Sequence, residues 1–585
     1  MKAFFNKNFF ETIILAFAFL LFANTIGNDF TWDDKIVIQE NERVQEGVTG
    51  IPDLFLKYNT GLRRDSYGYR PITLTTFAID YTFFGANPHG FHLMSALYFS
   101  LLCLVIYRVL RKLFEGYNSS LAFLVTLLFA SHPLHSEVVA NIKSRDEILA
   151  LLFALLSLYY FLKFYDNQKW KNLVFTALLF FAAFLSKENA FTFLAIYPLA
   201  ILIKKNRSWK KLLITCSIIP ILAIGAFFIL NLAISSNLGE ETIQNLNLYT
   251  EHNTLGNSFF YESRWGMKFA NATQLTTLYI KNFFIPHPLT YYNGLGEIEA
   301  LRFHWKTVIG MLIIFFTIVF SIVKFRKNPI IIFGLLFFFI TISGYMQVFI
   351  SLSDTYADRF AFIPSLGLSI VVIGILGIIF KLSFKIDDKK AVLTDRKQLK
   401  TIPVKMKGIM FLLIATFGVL TLSRNKVWQD DFTLVSNDMP HLENSPRPHY
   451  YYATVLNQKM LKEGWNVDLE RDMIHHYERS IALSDSIYYG RLELGTYYCN
   501  LGKLNKGVEV LEEMVHLFPH SSDPHYYLGK AYFQLELYQD AADHLETGLK
   551  LALGYSDSYH LLAIAYSKIG KFREAIFTAN DRLEK

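Results

Sequence analysis

Eleven stretches of this 585-residue chain are apolar for long enough to cross the roughly 30 Å of a bilayer's hydrocarbon, and that limits the fold before anything else does. They fall near residues 9–27, 91–110, 119–136, 147–165, 170–186, 189–204, 211–235, 306–323, 329–350, 360–381 and 408–423. Backbone amides find no water in hydrocarbon, so each stretch must close its hydrogen bonds within itself, as a helix. A composition of 52% hydrophobic and 16% aromatic residues excludes an ordinary soluble enzyme for most of the length. A further stretch, 267–285, is interrupted by Lys268, Asn271, Gln274 and Lys281, the pattern of a segment lying at the interface. The first stretch is long and has no small-residue cleavage site before the aspartates that follow, so it reads as a retained helix and not a signal peptide.

Charge orients the bundle. Lys and Arg collect on every second loop: at Lys2 and Lys7, from Arg108 to Lys112, from Lys163 to Lys171, from Lys204 to Lys211, from Lys324 to Lys327 and from Lys381 to Lys407. All of these share one side only when 267–285 does not cross, and that side is cytoplasmic. The net charge of +7 is therefore a topology signal, and no nucleic-acid partner is expected. Cys103, Cys216 and Cys499 are too few for a disulfide framework or a thiolate metal site. The first loop (28–90), the segment 236–304 and the C-terminal tail all fall on the external side.

The external loops hold the unusual polar chemistry. TWDDKIVIQEN (31–41) sets Asp33 beside Asp34 where the first apolar stretch ends, although two carboxylates repel most where water is scarce. SYGYRPIT carries Arg70; SHPLHSEVVANIKSRDE carries His132, His135, Glu137, Arg145 and Asp146; SKEN carries Lys187 and Glu188. NFFIPHPLTYY adds His287, and SDTYADRFAFIPSLG adds Asp358 and Arg359. Charges set against aromatic helix ends suggest a ligand vestibule. Plainer readings stand beside this one. Asp33 and Asp34 fit a solvated loop, Asp146 and Glu147 suit any helix start, and Lys187–Glu188 and Asp358–Arg359 fit structural ion pairs. His132 and His135, flanking Pro133 with Glu137 two residues on, fit backbone caps or headgroup contacts, with a metal site the less favoured alternative.

From about residue 440 the hydropathy falls and a 34-residue period begins. Leu494, Leu528 and Leu562 keep it, as do Gly495, Gly529 and Ala563, then Tyr498, Tyr532 and Tyr566, then Gly507, Ala541 and Ala575. That is the tetratricopeptide period, in which paired helices approach at the small residues while Leu and Tyr fill the seam. PHYYYATVL (448–456) resembles PHYYLGKAYF (524–533), which predicts an earlier repeat offset by an insertion around Glu463 to Leu469. The division expected is a membrane domain over 1–425, a linker over 426–447 whose VWQDDFTLV docks on that domain, and repeats over 448–585.

In order along the chain, TWDDKIVIQEN, YRPITLTTFAIDYTFFGANPHGFHL, FASHPLHSEVVANIKSRDE, FLSKENAFT, YIKNFFIPHPLTYY, DRFAFIPSLG and VWQDD, followed by the repeats, resemble the transmembrane and tetratricopeptide-repeat containing O-mannosyltransferases. The resemblance runs along essentially the whole chain. It implies an all-α fold, a polytopic GT-C bundle of about eleven transmembrane helices ending in a tetratricopeptide solenoid. It also implies a polyprenyl-phosphate-linked sugar donor, a protein or peptide acceptor met through the repeats, contact with membrane lipid, and no cofactor. In such enzymes a carboxylate takes the acceptor's proton: Asp33 is the first candidate, with Asp34 orienting it or in the reverse role. Arg70, by its bidentate fork, heads the donor-phosphate candidates, ahead of Arg145, Lys187 and Arg359. His132, His135, Glu137, Asp146, Glu188, His287 and Asp358 are further site candidates. Ser95 stands where relatives often carry Asn, Asp34 where other protein O-mannosyltransferases carry Glu, and the repeat array is short. The competing readings are a transferase of the same fold acting on a glycan or lipid, and a non-catalytic membrane scaffold. The external side is the periplasm if the chain is bacterial, as its Phe-, Ile-, Lys- and Asn-rich composition favours, or the ER lumen if it is eukaryotic.

Overall fold

The computed structural model describes residues 8–56, 68–204, 208–235, 265–294, 298, 305–324, 328–348, 352, 354–382, 384–385, 395–485, 487–551 and 556–584. Much of the segment 236–304 expected to be external, part of the first loop and part of the basic loop 381–407 lie outside these residues. Two compact units divide the chain, with a boundary between Asp438 and Met439. The described secondary structure is helical throughout, with only isolated bridges besides.

In the first unit the longer described helices are α1 (Phe9–Phe22), α2 (Pro71–Phe84), α3 (Pro88–Leu113), α4 (Ser119–Ala130), α5 (Arg145–Asn167), α6 (Trp170–Ser186), α7 (Phe193–Leu202), α8 (Trp209–Cys216), α9 (Ile218–Ser235), α10 (Trp265–Phe284), α11 (Trp305–Lys324), α12 (Pro329–Ile342), α13 (Phe362–Ile379), α14 (Val404–Val427) and α15 (Asp431–Asp438). Each of the eleven apolar stretches overlaps one or two described α-helices. Among the described residues, five helical segments suffice alone, by length and hydropathy, to cross a membrane: Pro88–Leu113, Ile142–Asn167, Trp209–Ile229, Asp358–Ile379 and Val404–Val427. A sixth span is a bent pair, Ser119–Ala130 with Pro133–Ala140, and the remaining stretches form shorter apolar helices. These helices make a multi-pass membrane unit. α14 leaves Val404, Phe411, Leu412 and Val419 uncovered, and α11 leaves Phe315, Phe316 and Ile318 uncovered, side chains that hydrocarbon accommodates and water does not. α3, α5 and α13 are buried in the centre.

Local sequence explains where the central helices start and stop. Pro88 sits in the first turn of α3, where its missing N–H costs nothing, and the Asn87 side chain accepts from His89 N. Asn118 caps α4 in the same way, accepting from Ser120 N. Past α4 the chain bends by 58°. Pro133 disfavours the helical conformation for the residue before it, and His132 is accordingly extended at φ −74°, ψ 127°. α12 and α13 meet at two glycines: a Cβ on Gly367 would come within 2.5 Å of the Gly334 carbonyl oxygen and 2.7 Å of Phe338 N. α10, read as interfacial, turns Asn271 and Gln274 inward, where both are buried.

The second unit stacks four helical hairpins: α16 (Pro446–Glu463) with α17 (Val467–Leu483), α18 (Tyr488–Asn500) with α19 (Leu504–Leu517), α20 (Ser522–Gln534) with α21 (Tyr538–Leu551), and α22 (Ser556–Lys568) with α23 (Phe572–Glu584). The periodic small residues lie where helices touch. A Cβ on Gly495 would meet Leu511 at 2.8 Å, and one on Gly529 would meet Leu545 at the same distance. Leu494, Leu528 and Leu562 are buried. The periodic tyrosines have a second role. Tyr498 donates to Glu478 Oε1 at 3.3 Å, Tyr532 donates to Glu512, and Tyr566 donates to Glu546 Oε2 at 2.9 Å, each glutamate lying on the preceding hairpin.

Candidate active site

Asp33 and Asp34 have opposite environments. Asp34 is fully buried, and its carboxylate is held by backbone amides: Thr31 N donates to Oδ2 at 3.1 Å and Lys143 N to Oδ1 at 2.7 Å. It thereby ties the loop at 31–34 to the turn at 141–144. Burial pushes its pKa up to about 7, against the pull of those amides. The Asp33 side chain is 34% exposed, and its Oδ2 lies 3.0 Å from Lys143 Nζ. Burial of its surroundings opposes ionisation, but the Lys143 and then the Arg359 cation outweigh it and hold Asp33 below the usual carboxylate range. The loop is fixed from a third side by the stretch after α14. Asp431 accepts from Trp32 N at 2.8 Å and pairs with Lys35 at 2.5 Å, Asn28 Nδ2 donates to Trp428 O at 3.0 Å, and Trp428 is buried. Trp32 itself takes a left-handed φ of 51°, which sets the turn into the aspartates.

A cluster of ion pairs stands beside this couple. Arg70 Nη1 reaches Asp146 Oδ2 at 2.5 Å, while its Nη2 and Nε donate to Glu188 at 2.9 and 3.2 Å. Lys187 Nζ lies 2.8 Å from Glu147 Oε1 and 3.4 Å from Asp146, and Tyr345 donates to the same Glu147 oxygen at 2.7 Å. Arg359 is forked between Glu137, at 2.5 Å, and Asp354, and its backbone N–H donates to Glu137 Oε2 at 2.9 Å. Asp146 lies in the field of Lys187, Arg70, Lys143 and Arg359, and both Arg359 and Asp146 act on Asp33. The Asp358 carboxylate accepts from Tyr356 at 3.2 Å. Asp33, Arg70, Lys187, Arg359, Glu137, Asp146 and Glu188 are thus brought together.

Other sequence candidates are held elsewhere. Arg145 is wholly buried: it pairs with Asp80 at 2.6 Å, donates to Phe91 O at 2.8 Å and to Ser95 Oγ at 3.2 Å, and stacks over Phe77. Its fork is committed inside the bundle, away from the Asp33 cluster's ion pairs, and Ser95 is one of the residues that hold it. His132 stacks on Phe283 and its Nε2 lies 2.8 Å from the Phe283 carbonyl oxygen, while its Nδ1 accepts from Leu134 N. His135 Nε2 lies 3.0 Å from Ser365 Oγ. Both histidines are buried helix ties. His287 lies on the surface, where its carbonyl accepts from Lys281 at 3.1 Å. Among the described residues, no group of three His, Cys, Asp or Glu side chains is placed to hold a metal ion.

Lys143, Tyr345 and Asp354 join the site without having been picked from the sequence. Lys143 lies within SHPLHSEVVANIKSRDE and Asp354 within SDTYADRFAFIPSLG, so their position was visible but their role was not. Tyr345 had no such signal, since it belongs to the end of an apolar stretch.

Residues 71–232 match the family described as dolichyl-phosphate-mannose-protein mannosyltransferase. Protein O-mannosyl-transferase F38B6.6 of Caenorhabditis elegans is 26% identical over 78% of this chain and 61% of its own length. Protein O-mannosyl-transferase TMTC4 of Homo sapiens is 34% identical over 25% of this chain and 22% of its own, and Tmtc1 of Drosophila melanogaster 30% identical over 30% and 21%. The chain thus spans about three-fifths of the first of these relatives and about a fifth of the other two. Among solved structures, MamA from Desulfovibrio magneticus RS-1 aligns over 26% of this chain and 82% of its own, at 16% identity and a TM-score of 0.23. In motif order, in the family match over residues 71–232 and in these relatives, the chain is similar to protein O-mannosyl-transferases of the TMTC type.

Proposed function

We propose that the chain transfers a hexose, mannose by its family, from a polyprenyl-phosphate sugar to Ser or Thr hydroxyls of exported proteins, on the external side of a bacterial inner membrane. The observation that carries this reading is Asp33: an accessible, ionised carboxylate at the mouth of a membrane bundle, with guanidinium and ammonium groups fixed beside it. The acceptor hydroxyl gives its proton to Asp33 as its oxygen bonds to the anomeric carbon. The bond from that carbon to the phosphate oxygen breaks with its electron pair, and prenyl phosphate leaves. Attack from the face opposite the phosphate inverts the anomeric centre. Arg70, Lys187 and Arg359 stabilise the charge that gathers on the phosphate, and Asp146, Glu188, Glu147 and Glu137 hold these cations in place. An Asp is a weak base, yet it suffices when the proton moves late, after the hydroxyl has become acidic through bonding to carbon. The repeats recruit the acceptor protein.

The test is mass spectrometry of Ser- and Thr-linked hexose on exported proteins, with and without the chain and with Asp33→Asn. Loss of the hexose in the deletion and in D33N, with D33N accumulating normally, is the expected outcome. Full modification by D33N sinks the reading, and a change confined to glycolipids reassigns the acceptor.

A further inference from the structure

Lys143 is the point at which the parts of this site meet. Its ammonium contacts Asp33, its backbone N–H holds Asp34, and its charge acts on Asp146, the carboxylate shared by Arg70 and Lys187. The other cations of the site each meet two carboxylates. Arg70 is forked across Asp146 and Glu188, Arg359 across Glu137 and Asp354, and Lys187 lies buried between Asp146 and Glu147. Lys143 meets Asp33, a carboxylate still one-third exposed, with an ammonium carried on a flexible four-carbon stem. A guanidinium that leaves a fork abandons two charge-assisted bonds. An ammonium exchanges one anion for another with far less loss, because it is never left unpaired.

We propose that Lys143 is a ligand of the donor phosphate and a positioning residue for the base: its ammonium passes from Asp33 to the phosphodiester as the donor binds, freeing Asp33 to take the acceptor's proton. The inference rests on the reading of Asp33 as base and of the donor as a sugar phosphodiester. The handover makes and breaks no covalent bond; one ion pair replaces another. Among the described residues, the charges that act most on Asp33 are the Lys143 and Arg359 cations and the Asp146 anion, with Asp34 beside it in the chain. Arg359 stays in its fork, so the change in the field at Asp33 comes from Lys143. Asp34 stays in register throughout, because it is held by the Lys143 backbone and not by the moving side chain.

The experiment uses the full chain in nanodiscs with a polyprenyl-phosphate mannose donor and a Ser/Thr peptide acceptor, comparing wild type with Lys143→Gln and Lys143→Arg. In K143Q the donor KM rises about tenfold or more. The acid limb of kcat/KM also moves up by about one pH unit, since removing a neighbouring cation favours the protonated carboxyl. K143R recovers most of both. In the wild type the acid limb of kcat, which reports the donor-bound enzyme, lies at higher pH than that of kcat/KM, which reports the free enzyme, and the gap narrows in K143Q. The proposal is overturned if K143Q keeps the wild-type donor KM and acid limb, or if the two wild-type limbs coincide. The second comparison needs no variant and decides the matter should K143Q fail to accumulate. Absence of hexose transfer by the wild type would instead defeat the proposed function itself.

Discussion

Two neighbouring aspartates with the same chemistry take different duties because their partners differ. Asp34 is enclosed by backbone amides, and in Asp34→Asn an NH₂ group would face one of those N–H donors, leaving a buried donor unsatisfied at a cost of about 1–3 kcal/mol. D34N is expected to lower the melting temperature of the detergent-solubilised protein by several degrees, whereas D33N, at a one-third exposed site, leaves it nearly unchanged. Thermal unfolding of the two variants side by side checks this, and the opposite order would contradict the assignment. The sign of the pH effect follows from the raised pKa of Asp34, about 7. Between the ordinary carboxylate value near 4 and that value, the native state keeps a proton that the unfolded state releases. The Asp34 contribution to stability is therefore full at low pH and is lost as pH rises through about 7. The wild-type melting temperature should fall between pH 5 and pH 8 more steeply than that of D34N. The motif TWDD put both residues on view in the sequence, but not the split between them, which depends on a turn about 110 residues later. Arg145 shows the same limit: its neighbours in SRDE are site residues, while Asp80, which claims its guanidinium, comes from a different helix.

At the scale of elements, apolar length sufficed to locate the helices, because hydrocarbon leaves a long apolar segment no other way to satisfy its backbone. It did not locate their ends. α6 passes into the 3₁₀ turn Glu188–Thr192 and α12 into Ser343–Tyr345, and these tightened ends carry Glu188 and Tyr345 to Arg70 and Glu147. Hydropathy averages over such turns and cannot see them. The contact of α12 with α13 offers a direct check. Gly367→Leu would drive its side chain into the Gly334 carbonyl and the Phe338 backbone, which have no flexible end to yield. Overpacking of this kind costs about 1–3 kcal/mol or more, so G367L should lower the melting temperature and the yield in detergent, with Gly367→Ala intermediate. Wild-type thermal stability in G367L would show that the two helices are free to separate.

At the scale of the whole chain, the 34-residue period made the repeat hairpins legible, since Gly495, Gly507 and Gly529 each lie at a close helix-to-helix contact. The tyrosine–glutamate bonds were not read, although Glu478, Glu512 and Glu546 keep the same period, because a charged residue on a helix reads first as solvated. If the repeats recruit the acceptor, then Gly529→Val, which forces α20 away from Leu545, should reduce transfer to a full-length protein acceptor severalfold. Transfer to a short Ser/Thr peptide should stay near the wild-type rate. Paired assays with the two acceptors test this, and equal losses would separate the repeats from recruitment. Each tyrosine–glutamate bond crosses from one hairpin to the one before it, so a hairpin that frays withdraws a partner from its neighbour. These bonds add to the apolar coupling between neighbouring hairpins, so the stack is expected to unravel more cooperatively than one joined by apolar contact alone.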